Sequence, residues 1–400
     1  MIGSAGGWLG AARSWLRSGD GRRLRLVAVA FLGSRLLLEL VGVVGRLTLW
    51  DFVKDHPIPR FHGSPLVDIW GVLDASWYMS IVEQGYTPLP AGVDPASLGE
   101  LNHAFFPLYP VLVRSLAPLF GHPFLAGLAL SNAAFFGALL LLHRWVESRL
   151  SRAAADFCVV LAAFFPCSYV FSSFYTESLF LLLLLGCLCS ARAGRWLLAG
   201  TLGALLSGTR LVGLAVILPL LLLWLQGFTR SEPPSPRGAA LGRLACVALV
   251  PCGLLAFMAL LWQQTGDPLA FLHVQAGWGR RAQDPFHALL APFWRPTLFN
   301  LYHSAYTLCG LAALLPLWRR RLWLELSLGA LLIGVPMLSG LPYAPLASMP
   351  RYLVATFPIF MGIAVALESR PTAQAVALAA LATLNGGLMV LWATGMWFVI

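Results

Sequence analysis

The sequence predicts an all-α, polytopic transmembrane protein. Three observations carry that expectation. The 400 residues are 58% apolar and only 11% charged, with a mean hydropathy of +0.76, outside the balance of soluble domains. Apolar runs of spanning or near-spanning length recur along the whole chain. The basic residues, 26 Arg and the single Lys54, gather between alternate runs.

The elements follow in order. Arg13, Arg17, Arg22, Arg23 and Arg25 precede a first apolar segment at 26–48. It is long enough to cross a hydrocarbon core of ~30 Å, and no small-residue cleavage site follows, so it reads as a retained span. Within it Arg35 and Glu39 stand at i, i+4, the spacing of an internal ion pair. A long polar and aromatic loop covers 50–123. Its part 104–120, rich in proline and short, reads as interfacial or re-entrant. Further spans are expected at 124–143, 156–173, 178–191, 196–208 and 211–228. A Pro- and Arg-rich linker covers 229–243, and a seventh span covers 244–263. After a polar loop at 264–296 come spans at 298–317, 322–340, 352–367 and 374–399. That makes about 11 spans in one integral domain over 1–400, with residues 1–25 cytoplasmic.

Charge then fixes the orientation. With the N-terminus inside, 17 arginines fall on inner segments and eight Lys/Arg on outer ones, with Arg35 and Arg46 inside the first span. The net charge of +10 is therefore a topology signal and not a nucleic-acid patch. Ten of the 17 acids fall outside. Polar chemistry is concentrated on the outer face, in the 50–123 loop, the 172–178 and 341–351 turns and the 264–296 loop.

No phosphate-binding glycine loop is present, so no nucleotide cofactor is expected. The seven cysteines lie in apolar runs without metal-ligand spacing and read as small core hydrophobes. The stretch 68–86 stands out. Read as a helix, it sets Asp74 on one face with Trp70, Trp77, Tyr78 and Ile81. A carboxylate there is costly unless paired or used, so Asp74 is either a structural partner of an outer arginine or a functional acid. Arg210 lies at a helix break and Arg351 after a Pro-rich turn. Each either binds phosphate bidentately or snorkels to the interface. Arg280 and Arg281 follow an aromatic-Gly run, and Arg281 reads as a rim charge. Glu177 either marks a site or answers the dipole of the helix it opens. His103 binds substrate or satisfies loop carbonyls. Asp267 reads as a turn and N-cap residue.

Six segments, in this order, resemble the PIG-V-type mannosyltransferase family: LDASWYMSIVEQGY (73–86), HAFFPLYP (103–110), FYTESLF (174–180), TRLVG (209–213), TGDPLAFLHVQAGWGR (265–280) and MPRYL (349–353). The resemblance implies a GT-C glycosyltransferase with its site on the periplasmic or lumenal face and an essential acid in the first outer loop. The family reads Trp-Asp-Gly there; this chain has Leu73-Asp74-Ala75. The donor it implies is a polyprenyl- or dolichyl-phosphate sugar, and the acceptor a glycolipid or lipid-linked molecule in the bilayer. Asp74 would be the general base of an inverting transfer. Arg351 and Arg210 would hold the leaving phosphate. Trp70, Trp77, Tyr78, Tyr109 and Trp278 would line the sugar path, with His103, Glu177 and Arg280 binding substrate. No dedicated metal site is read; an Asp74–Asp68 pair is the only arrangement that suggests one. The arginine bias points to a GC-rich bacterial genome and hence the plasma membrane, with the ER membrane as the eukaryotic counterpart. A lipid-linked-sugar flippase, a surface-polysaccharide polymerase or ligase, and a non-catalytic subunit are the competing readings.

Overall fold

The computed structural model describes residues 19–49, 58–89, 93, 95–230 and 237–399. Arg13, Arg17, Asp51, Lys54, Asp55, Asp94 and the centre of the Pro-rich linker lie outside the described residues. The described residues are mainly helical. Its α-helices are α1 (Gly19–Thr48), α2 (Pro65–Asp68), α3 (Ala75–Gln84), α4 (Leu108–Phe120), α5 (Pro123–Arg149), α6 (Arg152–Phe164), α7 (Glu177–Arg192), α8 (Trp196–Ser207), α9 (Ile217–Arg230), α10 (Arg237–Val247), α11 (Cys252–Thr265), α12 (Ala270–Gly277), α13 (Pro285–Leu289), α14 (Ala291–Trp294), α15 (Leu298–Arg319), α16 (Trp323–Gly334), α17 (Met349–Val354), α18 (Pro358–Ala366) and α19 (Pro371–Ala393). Among the described residues the only sheet joins β1 (Arg281–Ala282) to β2 (Ser339–Gly340), antiparallel, with Arg281 opposite Gly340.

Helices α1, α5, α15 and α19 are long and apolar enough to cross a membrane, and a fifth span is added if α10 and the latter part of its bent pair, α11, count as one across a 43° bend. They make this an integral membrane protein. Among the described residues only these are long enough alone, so the expected count of about 11 spans is not confirmed. Helix α6 stops at Phe165-Pro166, where proline has no N–H to continue the ladder. Helix α7 ends at Ala193 and Gly194, the latter at φ +76°. Its 16 residues include 11 buried ones. Hydropathy counts apolar residues without saying what covers them, and here protein covers them.

The predicted Arg35–Glu39 ion pair is also corrected. Arg35 turns inward and donates to the carbonyls of Ala163 and Ser168, both at 2.8 Å, where α6 gives out. Glu39 accepts from the Trp70 indole at 2.8 Å. The i, i+4 spacing allowed a pair, but the backbone carbonyls and the Ser168 and Ser172 hydroxyls beside Arg35 engage its guanidinium instead. Of the cysteines, Cys158, Cys167 and Cys187 are buried as expected, whereas Cys252 and Cys309 are exposed.

Charged clamps tie the start of α1 to the end of α5 and to the starts of α6 and α16. Arg23 of α1 bonds Glu147 of α5 at 2.6 Å, and buried His143 links Arg23 to Asp156 of α6. Arg149 of α5 makes a two-pronged contact with fully buried Glu325 of α16, at 2.6 and 3.0 Å. Removing only the cation strands a buried carboxylate, at about 3–5 kcal/mol. Arg149→Met is thus expected to lower the thermal unfolding temperature in detergent strongly, and Arg149→Met/Glu325→Leu to recover most of the loss. A double variant no more stable than the single one would show that the pair is not the determinant.

Candidate active site around Asp74 and Arg351

The stretch around Asp74 is not one helix. Helix α2 closes after Asp68, whose carboxylate accepts the His62 and Gly63 N–H groups at 2.8 and 2.9 Å. The chain then turns through Gly71, where a Cβ would lie 2.5 Å from the Phe124 ring. Leu73 takes φ +55°, a conformation costly for a leucine. Helix α3 starts at Ala75, so Asp74 is its N-cap and not a mid-helix residue. The expected aromatic face beginning at Trp70 is broken by this turn. Asp74 does not use its side chain as a cap. Its N–H donates to the Tyr175 hydroxyl at 2.9 Å, and that hydroxyl donates to Val72 O at 3.0 Å.

The freed carboxylate meets Arg351. Arg351 Nη1 donates to Asp74 Oδ2, while Nε donates to Glu177 Oε1 at 2.8 Å. The same Glu177 oxygen accepts from Arg210 Nη1 at 2.6 Å. Four charged groups from separate parts of the chain thus form one line: Asp74, Arg351, Glu177, Arg210. Their side-chain exposure falls sharply inward, from 27% at Asp74 to 6% at Arg351 and 0% at Glu177, with Arg210 at 10%. Glu177 Oε2 is buried without a hydrogen-bond partner. Burial opposes ionisation of Glu177, but the guanidiniums of Arg351 and Arg210 outweigh it and hold the carboxyl below its ordinary value. Burial likewise opposes the charge on Arg351, and Glu177 and Asp74 overcome it, raising its pKa well above the usual arginine value.

Aromatic rings frame the line. Arg351 lies 4.9 Å from the Tyr175 ring centroid and Arg210 lies 4.6 Å from that of Tyr352. Tyr352 is also within electrostatic reach of Arg280. Arg280 is brought there by the β1–β2 bridge, and Gln283 fastens the same strap by donating to Met337 O and Pro345 O at 3.1 and 2.8 Å. Ser348, the N-cap of α17, adopts φ +72°, so a second strained residue sits beside the ion pair.

The remaining candidates divide by burial. Trp77 and Trp278 are partly exposed and meet edge to face at 5.0 Å, one helical turn from Asp74. Tyr78 is buried against Thr176, and burial pushes its phenol up to about 12. Trp70 is buried on Glu39. Tyr109, expected to line the sugar path, is fully buried in the core and donates to Gly127 O at 3.0 Å. His103 is buried and stacked on Tyr86, with burial lowering its pKa. Asp267 lies apart, capping Leu269 N at 2.9 Å and pairing with His273. Arg281 is exposed. Among the described residues no three His, Cys, Asp or Glu side chains converge, and Asp68 is committed to its own turn. Tyr175 and Tyr352 were missed as individual site residues, although both stand inside segments singled out above.

No family model matches the chain, and no curated protein does. The PIG-V-type resemblance thus rests on its six segments alone. Among solved structures the chain is similar to the oligosaccharyltransferase of Archaeoglobus fulgidus. Against its apo crystal structure the identity is 14% and the TM-score 0.45, covering 92% of this chain and 55% of that one. Against the same archaeal enzyme, AglB, in complex with an inhibitory peptide and a dolichol-phosphate, the identity is 13% and the TM-score 0.48, covering 96% and 56%. The chain spans about half the length of these structures.

A folded-state carboxyl held below its unfolded value of 4.5 contributes stability above that value, lost as pH falls through the folded one. Glu177→Gln is expected to cost about 3–5 kcal/mol near neutral pH, because two buried guanidiniums lose their anion. Melting in detergent as a function of pH checks it. The gap between wild type and Glu177→Gln should narrow as the solution is acidified below pH 4.5, and a gap independent of pH would refute the role of this charge.

Proposed function

We propose that the protein is a membrane glycosyltransferase that moves a hexose, mannose by the family resemblance, from a polyprenyl- or dolichyl-phosphate donor to a glycolipid or lipid-linked acceptor. The observation that carries this reading is Arg351, which touches both a half-exposed carboxylate, Asp74, and a buried one, Glu177, with Arg210 beside them. A lipid-phosphate sugar needs a base for the attacking hydroxyl and cations for the departing phosphate, and the line supplies both types of group at the outer end of the bundle.

In the proposed reaction Asp74 accepts the proton of the acceptor hydroxyl. The oxygen forms its bond to the anomeric carbon from the face opposite the phosphate, and the carbon–oxygen bond to phosphate breaks with its electron pair going to the phosphate. The anomeric configuration inverts. Arg351 Nη2 bonds to no protein group among the described residues and is available to the phosphate. Arg210 supports it from the far side of Glu177, which sets the spacing of the two guanidiniums. Trp77, three residues after Asp74, and Trp278, which meets it edge to face, are partly exposed and are the proposed sugar walls. Trp70, Tyr78, Tyr109 and His103 support that wall from behind. Arg280 approaches from the strap.

The proposed topology places this line at the outer face, with about 11 apolar segments in or at the bilayer, the shorter ones covered by the long helices. The Arg-rich composition favours the plasma membrane of a bacterium.

Transfer of labelled mannose from a polyprenyl-phosphate donor to membrane glycolipid extracts tests the assignment. Asp74→Asn keeps the shape but removes the base, and is expected to lower kcat by about 10²–10⁴-fold. Arg351→Ala is expected to lower kcat/KM about a hundredfold. Wild-type turnover by Asp74→Asn would refute the base assignment, and an unchanged kcat/KM in Arg351→Ala would remove that arginine from the phosphate site.

A further inference from the structure

A cavity of about 740 Å³ opens between the starts of α8 and α10, at the end of α8 away from Arg210. The 12 residues of α8 put about 18 Å between the two. Glycine contacts farther along explain the opening. A Cβ at Gly200 would run into Cys246 O, one at Gly203 would stand 2.6 Å from the Val250 side chain, and one at Gly253 would run into Ala204 O. From Gly200 onward α8 therefore runs in backbone contact with the end of α10 and the start of α11, in the same direction. Toward their starts the two helices part, and the wedge between them is the cavity. Its size falls within the range of ligand sites. Gly194 and Gly242 line it, and a Cβ at either would meet nothing within 4 Å.

Two cations and no acid line this wedge: exposed Arg195, the N-cap of α8, and half-buried Arg243 of α10. Among the described residues neither guanidinium has a hydrogen-bond or ion-pair partner. Nearby arginines are placed differently. Arg192 donates to Ser148 O at 3.2 Å and lies over the Trp145 ring, and Arg149 is committed to Glu325. Helix α10 is the first half of the bent candidate span, where a cation without a protein partner is costly unless an anion or water meets it. Beside the two arginines, Leu197 and Leu198 of the same lining are 67% and 45% exposed. Cations next to open leucines are complementary to an anionic head that carries hydrocarbon chains. A soluble anion would neutralise the arginines and leave the leucines uncovered.

We infer that the wedge between α8 and α10 binds an anionic phospholipid of the surrounding bilayer, with its phosphate between Arg195 and Arg243 and its acyl chains along Leu197 and Leu198. The bound lipid braces the starts of two helices that touch each other only farther along. The site shares no residue with the line from Asp74 to Arg210, and the inference stands apart from the transferase reading.

The experiment uses the full chain, delipidated in a non-ionic detergent. It is titrated in separate arms with phosphatidylglycerol, phosphatidylcholine and inorganic phosphate. Thermal unfolding is followed, and retained lipid is counted by native mass spectrometry. Phosphatidylglycerol is expected to raise the unfolding temperature saturably and to be retained, and the other two to do neither at the same concentration. Arg195→Ala and Arg243→Ala are each expected to weaken phosphatidylglycerol binding about fivefold, and together about 25-fold. Gly242→Trp keeps both arginines, fills the wedge from a position with open space around it, and is expected to abolish the shift. Arg195 is exposed, so its variant reads the site even where Gly242→Trp fails to fold. No shift with phosphatidylglycerol, or an equal one with phosphatidylcholine, would overturn the anionic-lipid site. The same shift with inorganic phosphate would show a soluble anion and overturn the lipid. Unchanged phosphatidylglycerol affinity in the double arginine variant would remove the lipid from this wedge.

Discussion

The candidate site of this protein depends on one buried carboxylate shared by two guanidiniums. Glu177 has no exposed surface, and a single one of its oxygens receives both Arg210 and Arg351. Desolvating three charges together is expensive, and only mutual attraction at low dielectric makes it tolerable. The consequence is rigidity. Neither arginine can swing to solvent without stranding Glu177, so their separation is set by protein and not by ligand. Arg351 is thereby aimed at Asp74, the most exposed member of the line.

The surrounding fold is arranged to keep that line in place. Tyr175 fixes the backbone at Asp74 and covers Arg351 with its ring face. Arg114 donates to Ile81 O and Val82 O at the far end of α3, so both ends of the helix carrying Trp77 are held. Arg35 bonds the carbonyls of Ala163, near the end of α6, and Ser168, together with the Ser172 hydroxyl, and so ties α1 to the 168–172 segment that leads into the turn before Glu177. Leu73 and Ser348, both at positive φ, stand one and three residues before Asp74 and Arg351. Strain at both sides of one contact is maintained only where neighbours over-determine the backbone.

Much of this was legible in the sequence, and the gaps have physical reasons. Asp74, Glu177, Arg210 and Arg351 were each singled out because charges in apolar or aromatic surroundings need a purpose, and the structure brings all four together. Their pairing was not legible. Helical spacing suggested Arg35 with Glu39, yet backbone carbonyls and an indole N–H claimed them instead. The aromatic face assigned to 68–86 ignored the room that Gly71 makes for Phe124 and the turn that follows. Tyr109 looked like an open wall because a tyrosine in a polar loop segment does not reveal that Gly127 and Ser131 wait behind it. The count of about 11 spans is not confirmed for a related reason: an apolar run reports that something other than water covers it, whether lipid or protein.

The line also constrains the order of events in the proposed reaction. Two carboxylates and two guanidiniums balance, so a phosphate first met by Arg351 Nη2 gains a second prong only by displacing an existing contact. Glu177 is a poor candidate for displacement, being buried, shared and ionised by both arginines. Asp74 is half open and holds Arg351 by one prong. A phosphate that takes Arg351 therefore releases Asp74, and the base becomes free only when the leaving group is already held. Coupling of this kind keeps the carboxylate from activating water or acceptor in the absence of donor. It arises from nothing more than the unequal burial of two acids on one arginine.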